Sequence, residues 1–130
     1  MGNTTVALSA QQPPAEVAAF GLPTWTSYDT GTNAALTATT ALVANQQHYI
    51  TKVTASFSAA VAAAVTLAIK DGTTVIWQVE IAPGVLTFTE NFETRPLHGT
   101  RGTAVNVTVG AAGTGVVQTV CMAGFTAVAP

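Results

Sequence analysis

Val65-Thr66-Leu67-Ala68-Ile69-Lys70-Asp71-Gly72-Thr73-Thr74-Val75-Ile76-Trp77-Gln78-Val79-Glu80-Ile81 holds the clearest structural signal in the chain. Val65, Leu67 and Ile69 alternate with Thr66, Ala68 and Lys70. That period of two belongs to a half-buried β-strand. After Asp71-Gly72 the alternation resumes, with Val75, Trp77, Val79 and Ile81 on one face and Ile76, Gln78 and Glu80 on the other. Asp-Gly between two alternating runs signals a hairpin, because a type I′ turn needs positive φ at both central positions. The sequence therefore predicts strands ending near Lys70 and resuming near Thr73, with Asp71-Gly72 in the tight turn.

The same period extends in both directions. Upstream, residues 48–57 place Tyr49, Thr51, Val53, Ala55 and Phe57 on one face, and His48, Ile50, Lys52, Thr54 and Ser56 on the other. A weaker strand is expected near residues 36–42. Downstream, Ala82-Pro83-Gly84 ends a strand, and residues 85–91 put Leu86 and Phe88 inward with Thr87 and Thr89 outward. Residues 95–102 read as a loop. Val105, Val107 and Val109 mark another strand, residues 110–115 a glycine-rich turn, and residues 116–126 a last strand. Glycines and prolines recur about every ten residues, the spacing of an all-β antiparallel sandwich. The expected fold is such a β-sandwich, jelly-roll-like, with an extended N-terminal arm. The run Ala59-Ala60-Val61-Ala62-Ala63-Ala64 is open between a helical piece and a wide connection between strands.

Residues 1–33 show no sustained period. Gln11-Gln12-Pro13-Pro14 fixes an extended path and removes backbone donors. Asp29-Thr30-Gly31-Thr32-Asn33 has the composition of a turn. The chain is therefore divided into an arm, 1–33, and a sandwich, 34–130. The arm still holds large apolar residues that favour burial. Phe20, Leu22, Trp25 and Tyr28 are its candidate partner-binding anchors, with Phe20 and Trp25 foremost. Removal of residues 1–28 is expected to leave a folded domain.

Only 8% of the 130 residues are charged, against 48% hydrophobic. Soluble domains usually carry about 25% charged residues. Residues 53–69 and 102–130 contain no charged side chain at all, apart from the chain terminus. A surface of Thr, Ser, Asn, Gln, Ala and Gly is cheap to desolvate and suits a subunit packed against others. With a net charge of -2 and four basic side chains, Lys52, Lys70, Arg95 and Arg101, no nucleic-acid footprint is expected. Residues 53–69 are shorter than the roughly 20 apolar residues of a membrane span and include Thr54, Ser56, Ser58 and Thr66, so no membrane association is expected. The start of the chain has no basic region followed by an apolar run, so no secretory signal is expected.

Groups for chemistry are sparse. Cys121 is the one cysteine, which excludes an internal disulfide, and it reads as a small buried hydrophobe sharing a face with Val117, Thr119, Ala123 and Phe125. His48 and His98 are far apart in sequence and read as surface or interface groups, with an ion shared across a symmetry axis left open. Glu80, Glu90 and Glu93 fit a solvated edge, or partners for Arg95 and Arg101. No nucleophile elbow, phosphate loop or zinc motif is present in the sequence. Neither catalysis, a metal nor a cofactor is expected. Trp77 alternates with core positions and is expected to be buried, whereas Trp25 is freer.

His48-Tyr49-Ile50-Thr51, the run from Leu67 to Trp77 around Asp71-Gly72, and Arg95-Pro96-Leu97-His98-Gly99-Thr100 together resemble small β-sandwich virion proteins of tailed bacteriophages. The resemblance spans residues 37–127 and is one of pattern. It is strongest to head decoration, or cement, proteins. It implies a non-enzymatic homotrimer on the outer surface of the head, made in the host cytoplasm, whose arms clamp the major capsid protein. The alternative it leaves is a carbohydrate- or receptor-binding module of a phage tail or fibre.

Overall fold

The computed structural model describes residues 23–128, which contain nine strands and no helix. In chain order they are β1 (Thr24–Thr32), β2 (Leu36–Thr40), β3 (Gln46–Phe57), β4 (Val65–Asp71), β5 (Thr74–Ile81), β6 (Thr87–Asn91), the two-residue β7 (Leu97–His98), β8 (Val105–Val109) and β9 (Val117–Val128). They form two antiparallel sheets. One has the order β1-β9-β3-β6, with β7 also pairing β3, and the other has the order β2-β8-β4-β5.

This order is that of a long hairpin folded over on itself. β4 pairs β5 around the Asp71–Thr74 turn, β3 pairs β6, β2 pairs β8 and β1 pairs β9. Rolling the hairpin then brings β9 beside β3 and β8 beside β4. The result is a jelly roll, as the sequence predicts. Its core is the space between the sheets, filled by Leu67, Ile69, Ile81, Val105, Val107 and Val109 from one side and Ile50, Val53, Ala55, Phe57, Val120 and Met122 from the other.

The central hairpin forms as expected, with a different turn. Asp71 still pairs with Thr74, so Gly72 and Thr73 are the central residues. Gly72 has φ 63, whereas Thr73 is not among the positive-φ residues. Positive φ at the first central position alone is the type II′ pattern. The pairing then slips one residue between Ile69 and Lys70, leaving Ile76 as the extra residue. Trp77, Val79 and Ile81 keep the inward phase, but Val75 turns outward and is 44% exposed.

A second irregularity corrects the expectation for β3. Ala123 pairs with Lys52 but Gly124 with Ile50, so Thr51 is bulged. The phase flips there. Val53, Ala55 and Phe57 face the core as predicted, but so do His48 and Ile50, whereas Tyr49 and Thr51 are only partly buried. The bulge brings two backbones close together at Gly124. A Cβ on that residue would lie 1.9 Å from the Tyr49 carbonyl oxygen and 2.8 Å from Trp25 Cζ2.

Two further expectations are corrected, and one that the sequence left open is decided. Residues 24–32 are not part of an arm. They pair along β9 as an edge strand, with Trp25, Ser27, Asp29 and Gly31 turned inward in strict alternation. The sandwich therefore includes Thr24–Thr32, and the predicted turn at residues 29–33 is strand up to Thr32. The alternation carries no hydrophobic signature in the sequence, because its inward set of Trp, Ser, Asp and Gly is chemically mixed. Leu86 points out, 52% exposed, while Val85 packs on the core. The alanine run is a loop, not a helix, with only Val61 buried among residues 59–64.

Gly124→Ala should destabilise the protein by about 1–3 kcal/mol or more, because the added methyl meets backbone that cannot step aside. Gly72→Val should cost less than that but be measurable, from the positive φ. Urea denaturation of the two variants checks both the sizes and their order.

Candidate interaction surface

The chemistry-bearing residues do not converge. Among the described residues no three of His, Cys, Asp and Glu come together as a metal site. His48 is not a surface group. It is buried on the inner face of β3, where Nε2 lies 2.8 Å from the Ala41 carbonyl oxygen and Nδ1 lies 2.8 Å from Thr126 Oγ1. A carbonyl only accepts, so Nε2 carries a proton and donates it to Ala41 O. The Trp25 ring meets His48 edge-on at 5.6 Å. His98 is exposed on β7 and lies 3.2 Å from Gln47 Nε2. Cys121 is half-buried and on the outer face, because its neighbours Val120 and Met122 take the core positions. Thr66 donates a hydrogen bond to Glu80 on the outer face of β4 and β5. Asp71 accepts from the amide of Thr100 at 3.0 Å and from its hydroxyl, which ties the central turn to the 95–104 loop.

The four candidate anchors separate. Phe20 and Leu22 lie outside the described residues. Trp25 is half-buried and packs against the sandwich's own core, so it is not a free side chain. Tyr28 is 70% exposed on the outer face of β1, beside Cys121 and in a row with Thr54 and Thr89. Around it lie Thr26, Thr30, Thr119 and Ser56, with Lys52 the charged member of that face. The other aromatic rings are engaged inside the molecule. Trp77 packs at 5.4 Å on Phe92 and 6.2 Å on Phe88, and Tyr49 stacks on Phe125 at 4.8 Å.

The sides of the sandwich are closed. Between β1 and β2, Ser27 Oγ lies 2.6 Å from Thr40 Oγ1, and the Asp29 carboxylate accepts from the Thr37 amide at 3.3 Å. Between β5 and β6, the Trp77, Phe88 and Phe92 rings fill the gap. An inward charge on one edge, a short β2 and a bulged β5 are devices that discourage strand addition. The surface available for partners is therefore the faces and ends.

One end stands out. A jelly roll gathers alternate connections at the same pole, and here residues 33–35, 58–64, 82–86 and 110–116 meet. The amide of Ser58 donates to Val117 O at 2.8 Å, Gly84 to Val61 O at 3.0 Å, Asn33 to Val116 O at 2.9 Å, and Gly113 to Asn33 Oδ1 at 3.1 Å. These four connections contain no charged residue. They are built of Ala, Gly, Val, Leu and Pro, with Asn33, Ser58 and Thr114 as their polar members. The connections at the opposite pole include Glu93, Arg95 and Arg101.

Gln118 shapes the uncharged pole from below. Its side chain is fully buried, with Oε1 accepting from the Ala112 amide at 2.8 Å and Nε2 donating to Gly110 O at 2.8 Å. Sequence analysis missed this residue. Its signal is a lone amide on the inward phase of β9, just after a glycine-rich loop. The absence of charge in each connection is also legible in the sequence. That the four connections meet is not.

The structure of tomato aspermy virus is similar over 78% of this chain and 77% of that chain, at 7% identity and a TM-score of 0.35. The tobacco streak virus coat protein is similar over 94% of this chain and 93% of that chain, at 11% identity and a TM-score of 0.36. No family model matches the chain, and no curated protein does. The jelly-roll assignment rests on the strand order itself.

Gln118→Leu should leave a buried amide and a buried carbonyl without partners and cost about 2–4 kcal/mol. Thermal melts measure the loss, and hydrogen exchange at residues 110–116 should rise well above that in β3.

Proposed function

We propose that this chain is a non-enzymatic structural protein of a virus particle, which decorates the outer surface of the head and clamps major capsid protein subunits as a homotrimer. The observation that carries the proposal is the distribution of charge. A closed jelly roll presents an uncharged pole and nearly uncharged sheet faces, which lose little on being covered by protein. The resemblance to phage decoration proteins points the same way. The placement of the aromatic rings argues against a sugar-binding module, since Trp25, Tyr49 and Trp77 all pack against other rings of the chain. In this proposal residues 1–22, with Phe20 and Leu22, form the clamping arm. Tyr28 is the anchor on the sandwich itself, because it is exposed at the middle of β1.

Co-sedimentation with expanded capsids tests the proposal. Intact protein should pellet with capsids. Deletion of residues 1–22 should abolish pelleting yet leave the melting transition intact, since β1 is retained. Tyr28→Ala should weaken pelleting by about tenfold, the loss expected for one well-placed anchor. Intact protein that stays in the supernatant at every capsid concentration would refute capsid decoration.

A further inference from the structure

We infer that the uncharged pole is a contact between copies of this chain. The inference rests on the proposed role as a structural subunit and names the partner of one surface. Three physical features of the pole support it.

First, symmetry makes charge costly near an axis. When identical subunits meet around a rotation axis, residues close to it face their own copies, so every charge there meets a like charge. A pole without Asp, Glu, Lys or Arg avoids this. A partner of different sequence sets no such condition, and charge complementarity is the usual means of selecting one.

Second, the pole is already hydrogen-bonded internally. The amides of Ser58, Gly84, Ala112 and Gly113 and the carbonyls of Val61 and Gly110 all have partners within the chain. Covering it therefore strands few backbone groups, the main cost of desolvating loops. Third, Ala, Gly and Pro lose no side-chain rotamer entropy when ordered. Ala60, Ala62, Ala63, Pro83 and Ala111 are all exposed, and Leu86 and Val117 supply larger apolar side chains at 52% and 48% exposure.

The same surface continues onto the outer face of the β2-β8-β4-β5 sheet. There a shallow depression of about 630 Å³ is lined by Ala35, Ala64, Thr66, Ala68 and Thr108, with Lys70 as its charged member. A neighbouring copy seated on the pole would rest its rim here. Pro23 lies at the opposite end, where its carbonyl accepts from the Thr126 amide, and deletion of residues 1–22 tests the chain's own segment as the occupant.

Sedimentation velocity on the full chain, without capsids, tests the inference apart from capsid binding. The intact protein should sediment as a closed oligomer at high micromolar concentration. Ala62→Glu and Ala111→Glu lie in different connections at exposed positions, and each should weaken assembly by about a hundredfold, since like charges then meet. Thr89→Glu, on the other sheet's outer face, should assemble as the intact chain does. Far-UV circular dichroism and melting confirm that each variant is folded. A monomeric intact protein overturns the inference. So do folded pole variants that assemble normally, or a deletion of residues 1–22 that dissolves the oligomer while the pole variants retain it.

Discussion

The structure depends on the insertion of β9 between β1 and β3. That strand completes the outermost pairing of the folded hairpin and also closes the sheet on its inner side. It fits only because Gly124 passes against the Tyr49 carbonyl with no side chain between them. The bulge at Thr51 follows from the same approach, with the Thr51 hydroxyl donating to Ala123 O at 3.3 Å. It also sets the facing of β3. Without the extra residue, either His48 and Ile50 or Val53, Ala55 and Phe57 would point to solvent, since a one-residue slip reverses every side chain.

Around this frame a few polar side chains do what charge does in other domains. His48 holds the Ala41 carbonyl and Thr126, Gln118 holds the 110–112 backbone, and Asp29 and Ser27 join β1 to β2. Each is paired, as the large majority of buried polar groups are. Their net contribution to stability is modest, about 1 kcal/mol for a typical hydrogen bond. Their larger effect is positional, because an unpaired alternative costs more than the bond gains. They fix loops that have few large apolar residues of their own.

The distribution of charge follows the topology. Connections that alternate in sequence share a pole, so four separate charge-free loops become one surface. The charged loop of residues 92–104 is directed to the other end by the same rule and is pinned there by Asp71. An edge-closed sandwich with such a pole has faces and ends, not strands, to offer a partner. The proposed role as a subunit of a larger assembly rests on that geometry.

By itself the sequence determined the strand class, the central hairpin at Asp71-Gly72, the inward valines of β8 and the inward set of β4, because strict alternation encodes a buried face directly. It also determined the shortage of charge. Tertiary structure alone decided the two bulges, since the slips at Ile76 and Thr51 depend on what the neighbouring strand presents. It decided that Trp25 belongs to the core and that β1 is a strand, because Trp25, Ser27, Asp29 and Gly31 form a face only against β2 and β9. It placed Cys121 outside and His48 inside, reversing the sequence expectation through the phase of β9 and the bulge in β3. And it brought the uncharged loops to one pole, since which loops are neighbours is a property of how the hairpin rolls and not of any local run of residues.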